Sequence, residues 1–344
     1  MKELDFEKLV LIAGGHSAFQ LLWAGVELGL YDHLSAKPGM NLEEAADALG
    51  LSHQPTRILM TGLTALGIVV RDKQGRYCNA GITEAKLVKG KPGYGAPILG
   101  WQAHIVYPGM QDFVASLKQN RNVGLDRFKG TEPTLYQRLT HDESLQKIFH
   151  DAMSSLSRQA NSFLPPAMDF SKYKLVVDAG GGAGTNALAI AQRYPGVKTC
   201  VFDSAPVCEY AQQNIRNAGM ADCVSTWSGD FFQDPFPPET DCVVYSHILT
   251  IWSMKNNRTL LKRTWDMLPR GGAVVIFNMM GADDDTGPLS AALGSPYFLA
   301  IATGEGMLHA WKDYEAALQD VGFTQTIRLD QGLPLDHGIL VGIK

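Results

Sequence analysis

The stretch KLVVDAGGGAGTNALAIAQRYPGVKTCVFD, Lys174–Asp203, decides the architecture. It opens with the apolar run Leu175 to Val177, turns through Gly180, Gly181, Gly182 and Gly184, continues at amphipathic helical spacing and returns to an apolar run ending at Asp203. Strand, glycine turn, helix and strand in that order make a β-α-β unit with parallel strands. The glycines let the backbone turn tightly and approach a ligand with no Cβ in the way, at a helix start whose N–H groups lack partners. Asp203 stands twenty-five residues after Asp178, at the end of the second strand, where a carboxylate can accept hydrogen bonds from both hydroxyls of a ribose. An α/β fold that binds a nucleoside-containing ligand is the expectation.

A dinucleotide satisfies this geometry as well as S-adenosylmethionine does, and two neighbouring features separate them. Asp178 heads the glycine run, and its charge would repel a pyrophosphate but pair with the amino group of a methionyl tail. Downstream, STWSGDFFQDPFP ends a third strand in Gly229, Asp230 and Phe231, a carboxylate for the adenine amino group and an aromatic face for the ring. Both features favour S-adenosylmethionine.

The first half has a helical texture. In AFQLLWAGVELGLYDHL, residues Phe19, Leu22, Trp23, Val26 and Leu30 fall on one stripe. A short helix capped by Asn41, a turn at Gly50, a helix from Gln54 to Leu66 and two short strands around IVVRD and RYCN then give a winged-helix pattern. Further helices are expected over Trp101 to Lys118 and Leu145 to Phe163. The recognition-like helix carries a single arginine, the net charge is −5 and the pI is about 6.0, so nucleic acid is not an expected partner. Five scattered cysteines without Cys-x-x-Cys spacing indicate neither a disulfide framework nor a zinc site. The acidic N-terminal stretch does not read as a signal peptide, and no apolar run reaches membrane-spanning length, so a cytoplasmic protein without a membrane partner is expected.

With these motifs in place the chain resembles the class I S-adenosylmethionine-dependent methyltransferases of the caffeate and acetylserotonin O-methyltransferase type. The resemblance covers essentially the whole length: the winged-helix half, the glycine unit, SGDFFQDPFP, LLKRTWDMLPRGGAVVIF and DYEAALQDVGFTQTIRL. It implies a Rossmann-like seven-stranded sheet over 166–344, preceded by a mostly helical winged-helix dimerisation domain over 1–165 that also contributes to the acceptor pocket. It implies a homodimer acting on a small molecule, with S-adenosylmethionine as cofactor, released as S-adenosylhomocysteine, and no metal. Cofactor contacts are implied for Asp178, Gly180, Gly182, Asp203, Asp230, Phe231 and Ser246, with Phe149, Met153 and Ser157 of FHDAMSSLS brought up beside them. Phe149 and Met153 read equally well as core residues of their helix.

The chain departs from that family where the chemistry is done. Where the relatives carry a histidine followed by aspartate and tryptophan, this sequence reads Thr250, Ile251, Trp252. Thr250 is no general base at neutral pH. His247 lies three residues earlier, at a position facing the cofactor in the family, and is a candidate for a displaced base or for a polar neighbour of the adenine or of a backbone carbonyl. After the strand AVVIF the family usually has an acid, and here stands Asn278. A phenol, with a pKa of about 10, must lose its proton as its oxygen attacks. A thioether carries no proton, so the loss of base and acid favours a sulfur or an activated carbon acceptor. The segment SPYFLAIATGEGMLHAWKDY adds a resemblance to the bacterial methylthiohydroxybutyrate S-methyltransferases of dimethylsulfoniopropionate synthesis, and so implies 4-methylthio-2-hydroxybutyrate as acceptor. Candidate acceptor-facing residues are Trp101, Gln102, His104, Tyr107, Phe149, Thr250, Trp252, Asn278, Tyr297 and His309. A phenol O-methyltransferase, a non-methylating member of the family and a cofactor-sensing DNA-binding protein remain alternatives.

Overall fold

The structure is a computed structural model that describes residues 4–334 and 336–344. The chain packs as two compact units, one made of residues up to His104 together with Ile148–Ser155, the other of Ile105–Lys147 and Leu156–Lys344. This division differs from the expected boundary at 165: residues 105–147 and 156–165 fall in the unit that holds the sheet.

In the first unit the helix Leu42–Leu49 starts on a reciprocal cap. The Asn41 side chain accepts from the Glu44 N–H while Glu44 accepts from the Asn41 N–H, and Gly50 closes the helix in the left-handed region. The helix His53–Ala65 follows, and strands β1 (Val69–Arg71) and β2 (Tyr77–Asn79) pair antiparallel, with Val69 opposite Asn79. This is the expected winged-helix pattern. The expected apolar stripe is interrupted: the helix Gly15–Glu27 ends before Gly29, and Leu30 begins a new helix, Leu30–Ala36. The preceding helix, Phe6–Ala13, has no buried residue.

The expected helix over Trp101 to Lys118 forms, but not as a uniform α-helix: a π-helical stretch and the 3-10 turn Met110–Asp112 precede the helix Phe113–Gln119. Helix Ala96–Trp101 passes into a π-turn over Gln102–Val106 and only then into the turn Tyr107–Gly109. Pro108 supplies the cause, because it has no N–H and its ring crowds the carbonyl four residues earlier. The helix Glu143–Ala160, by contrast, is continuous from an Asp142 cap.

The second unit holds a seven-stranded sheet of β3 (Leu175–Ala179), β4 (Lys198–Asp203), β5 (Val224–Ser228), β6 (Cys242–Ser246), β7 (Ala273–Met279), β8 (Gln325–Leu329) and β9 (His337–Ile343), in the order β5-β4-β3-β6-β7-β9-β8. Strands β3 to β7 are parallel, and β9 runs antiparallel to both β7 and β8. Both faces of the central strands are buried: Val177, Val243, Tyr245 and Ile276 point into one core, Val176, Val244, Val275 and Phe277 into the other. That is why these strands read as unbroken apolar runs. No single helix among the described residues is long and apolar enough to cross a membrane.

Candidate functional site

The chain leaves β3 towards β4 on one side of the sheet and later enters β6 on the other, so β3 and β6 flank the point where the strand order reverses. A crevice opens at the carboxyl ends of parallel strands at such a point. Here those ends carry Asp178, Asp203, Asp230, Ser246 and Asn278, each from a different strand or the loop directly after it.

The glycine turn is shaped by close approach as well as by torsion. Gly180 has φ of 71°, and a Cβ on it would lie 2.3 Å from Cδ1 of Ile248. Asp203 holds the turn from below: Oδ2 accepts from the Gly182 N–H at 3.1 Å and Oδ1 from its neighbour's, Ser204, at 2.8 Å. Its carboxyl is raised by burial, against these hydrogen bonds. Asp178 is 1% exposed, and neither of its oxygens meets a donor at hydrogen-bonding geometry. Burial pushes this carboxyl up to about 7; the nearby Asn186 side chain opposes the shift and the charge of Asp203 adds to it. Asp230 is exposed, with Oδ1 accepting from the Phe232 N–H and Oδ2 from Gln233. Phe231 stands edge-on to Phe202.

These residues fit S-adenosylmethionine on the chemistry of their donors and acceptors. A buried carboxylate without a partner suits an ammonium group, the turn at Gly180 has no room for a side chain, and Phe231 offers a ring near an exposed carboxylate. Among the described residues no group of three His, Cys, Asp or Glu is placed to hold a metal ion.

His247 follows β6 in the left-handed region, with φ of 60°, unusual for a residue with a side chain. Its N–H donates to the Phe277 carbonyl at 2.8 Å. Both ring nitrogens are engaged: Nδ1 lies 3.0 Å from Ser246 Oγ and Nε2 lies 2.9 Å from Nε2 of His337. Burial first, and then His337, holds His247 well below the usual imidazole range. Both ring nitrogens of His247 are thus committed to other side chains. His337 was missed from the sequence, being ninety residues away at the head of an antiparallel strand.

Thr250 is buried, and its hydroxyl donates to the His247 carbonyl at 3.1 Å. Trp252 packs edge-on against Phe232. The Asn278 amide donates to Tyr314 Oη at 3.3 Å, leaving its own buried Oδ1 without a partner. His309 stands edge-on to Tyr314 and donates from Nε2 to the Trp252 carbonyl at 3.3 Å. In the neutral ring Nδ1 is then the unprotonated nitrogen, and burial lowers the tendency of the ring to take a second proton. Tyr314 was a further omission, since its motif reads as an amphipathic helix start. Tyr297 is buried in the helix Leu289–Tyr297.

Trp101, Gln102, His104, Phe149 and Met153 belong to the first unit, where His104 meets Trp23 edge-on, while Tyr107 and Ser157 belong to the second. A π-helical stretch over Gln102–Val106 contains His104 and separates Trp101 from Tyr107.

Two family models match the chain: an O-methyltransferase domain over residues 107–324 and an O-methyltransferase dimerisation domain over residues 10–89. The chain is 35% identical to an L-tyrosine C(3)-methyltransferase of Streptomyces lavendulae, with 99% of this chain and 93% of that protein covered. It is 30% identical to a 3-hydroxy-5-methyl-1-naphthoate 3-O-methyltransferase of Streptomyces sahachiroi, covering 97% and 94%. Among solved structures it is similar to the apo form of the S-adenosylmethionine-dependent methyltransferase SibL, at 36% identity and a TM-score of 0.87, with 99% of each chain covered.

Proposed function

Because the chain belongs to the class I S-adenosylmethionine-dependent O-methyltransferase family, we propose that it methylates a ring carbon of a small phenolic acceptor of the tyrosine type. The observation that carries this reading is the state of Thr250 and Asn278. The first has its hydroxyl committed to a backbone carbonyl and the second is a neutral amide, so neither can take a phenol's proton while oxygen attacks. A ring carbon ortho to a hydroxyl attacks with its π electrons instead, and the ring proton leaves after the carbon–carbon bond has formed. The demand for a strong base at the moment of attack is thereby relaxed. The near-full-length likeness to an enzyme named for a ring carbon of tyrosine supports the same choice.

S-adenosylmethionine supplies the electrophilic methyl group. The residues here would hold its ends, Asp178 facing the ammonium, Asp203 the ribose, Asp230 and Phe231 the adenine. His309, whose Nε2 donates to the Trp252 carbonyl so that Nδ1 keeps its lone pair, would receive the departing proton. The residues matched by the dimerisation model, 10–89, would form the dimerising part and the unit that holds the sheet the catalytic part of a homodimer. The apolar helix Phe6–Ala13, which has no buried residue, and the matching dimerisation model support that arrangement.

A thioether acceptor such as 4-methylthio-2-hydroxybutyrate accounts for the absent base equally well, but the relatives above are named for carbon and oxygen acceptors. Incubation of the protein with S-adenosylmethionine and L-tyrosine, simple phenols or thioethers, read by product mass and proton NMR, separates the cases. The expected product has lost one aromatic proton and kept its hydroxyl. A methyl ether or a sulfonium product overturns the proposal.

A further inference from the structure

Next to the site, Ser246, His247 and His337 form a chain of hydrogen bonds whose direction is fixed at one end. His337 Nδ1 lies 2.6 Å from the Pro334 carbonyl oxygen, which can only accept, so this nitrogen carries the proton. In the neutral ring His337 Nε2 is then an acceptor. His247 Nε2, 2.9 Å away, must donate to it, which leaves His247 Nδ1 unprotonated. That nitrogen in turn accepts from the Ser246 hydroxyl at 3.0 Å. Phe277 packs against both imidazoles, with ring centroids 5.3 and 5.2 Å away, and the left-handed backbone at His247 turns its ring into this arrangement. Backbone strain of this kind persists where surrounding contacts over-determine it.

We propose that His337 is a positioning residue for the cofactor site: through the tautomer of His247 it orients the Ser246 hydroxyl inward, so that Ser246 faces the bound cofactor as a hydrogen-bond acceptor only. Its two lone pairs then select a donor on the ligand, such as an ammonium or ribose hydroxyl, and give nothing to a phosphate. This rests on the cofactor-binding role of the β3 and β6 ends. Ser246 supplies at that edge a neutral acceptor that complements the buried carboxylate of Asp178.

The test has two arms. In the first, nitrogen-15 NMR of the full chain with labelled histidine should show His337 protonated at Nδ1 and His247 protonated at Nε2. The opposite tautomer at His247 overturns the proposal whether or not any ligand binds. In the second, calorimetry with S-adenosylhomocysteine compares Ser246→Ala, His337→Phe, His337→Gln and the Ser246→Ala/His337→Phe pair. Ser246→Ala and His337→Phe should each weaken binding roughly tenfold, the scale of one hydrogen bond. The pair should lose no more than either alone, and His337→Gln, whose carbonyl can still accept from His247, should restore near-native affinity. Additive losses, or equal losses in the Phe and Gln variants, reject the relay. Failure of the wild-type protein to bind S-adenosylhomocysteine rejects the cofactor role of Ser246 while the tautomer measurement still judges the chain itself.

Discussion

The hydroxyl of Thr250 donates to the carbonyl of His247, three residues back, and so closes the turn that leaves β6. A side chain used in this way holds backbone and moves no proton. Thr250→Val should cost about 1 kcal/mol of stability, the net worth of the bond, and leave methyl transfer within a few-fold. Thr250→His should add methyl ether to the products from a phenolic acceptor. Product ratios by mass spectrometry and NMR check both, and a hundredfold loss in Thr250→Val would assign the hydroxyl a chemical role.

Asp203 accepts from Gly182 and Ser204 and thereby links the glycine turn to the end of β4. Asp203→Ala should remove these bonds together with those to a ribose. Affinity for S-adenosylhomocysteine should fall by roughly 1.5–3 kcal/mol, the range for hydrogen bonds to a charged group. Calorimetry showing native affinity would reject the assignment of Asp203.

Stability should depend on pH through two opposed groups. The Asp178 carboxyl titrates at about 7 in the fold and near 3.9 unfolded, so between roughly pH 4 and 7 the folded state keeps a proton that the unfolded state has released. That contribution is full at the acid end and is lost as pH rises through the folded value, at up to about 1.4 kcal/mol per unit. His247 is shifted down, so its contribution is present above about pH 6.5 and is lost as pH falls. Urea unfolding at pH 5 and pH 8 should show Asp178→Asn gaining stability over wild type at pH 8 more than at pH 5, and His247→Gln the reverse. Parallel pH curves for all three proteins would contradict both assignments.

Phe6 is 80% and Ile12 69% exposed on a helix without a single buried residue. In a homodimer such side chains become the interface. Sedimentation at micromolar concentration should give a dimer for the wild-type protein and a monomer with native circular dichroism for Phe6→Asp/Ile12→Asp. A wild-type monomer ends this expectation.

His309 donates through Nε2 and keeps Nδ1 unprotonated. His309→Gln should lower kcat by about 10²-fold, the lower end for loss of a proton acceptor, with unchanged affinity for S-adenosylhomocysteine. If kcat stays within a few-fold, the departing proton goes to water and His309 is structural.

The parallel sheet was legible because Val176, Val177, Val243 and Val244 are buried on both faces and so read as uninterrupted apolar runs. The positions of Asp178 and Asp203 at strand ends were legible for a related reason, since each stands where such an apolar run closes. The pairing of His247 with His337 was not, because an antiparallel return strand joins positions that no local spacing relates. Nor was the π-helical stretch within the long helix foreseen, although Pro108 stands just after it. Thr250 announced the loss of a base, whereas the fate of its hydroxyl became visible only with the turn in three dimensions.

The chain crosses between its two compact units three times, after His104, after Lys147 and after Ser155. No single cut therefore yields both units whole. A protease nick within 105–147 would leave fragments that each need the other to complete a core, and they should stay associated until denatured. The same interleaving bears on inheritance: a single-junction recombination between two relatives replaces parts of both units at once, so acceptor preference would be exchanged more cleanly by transplanting short segments than by swapping halves.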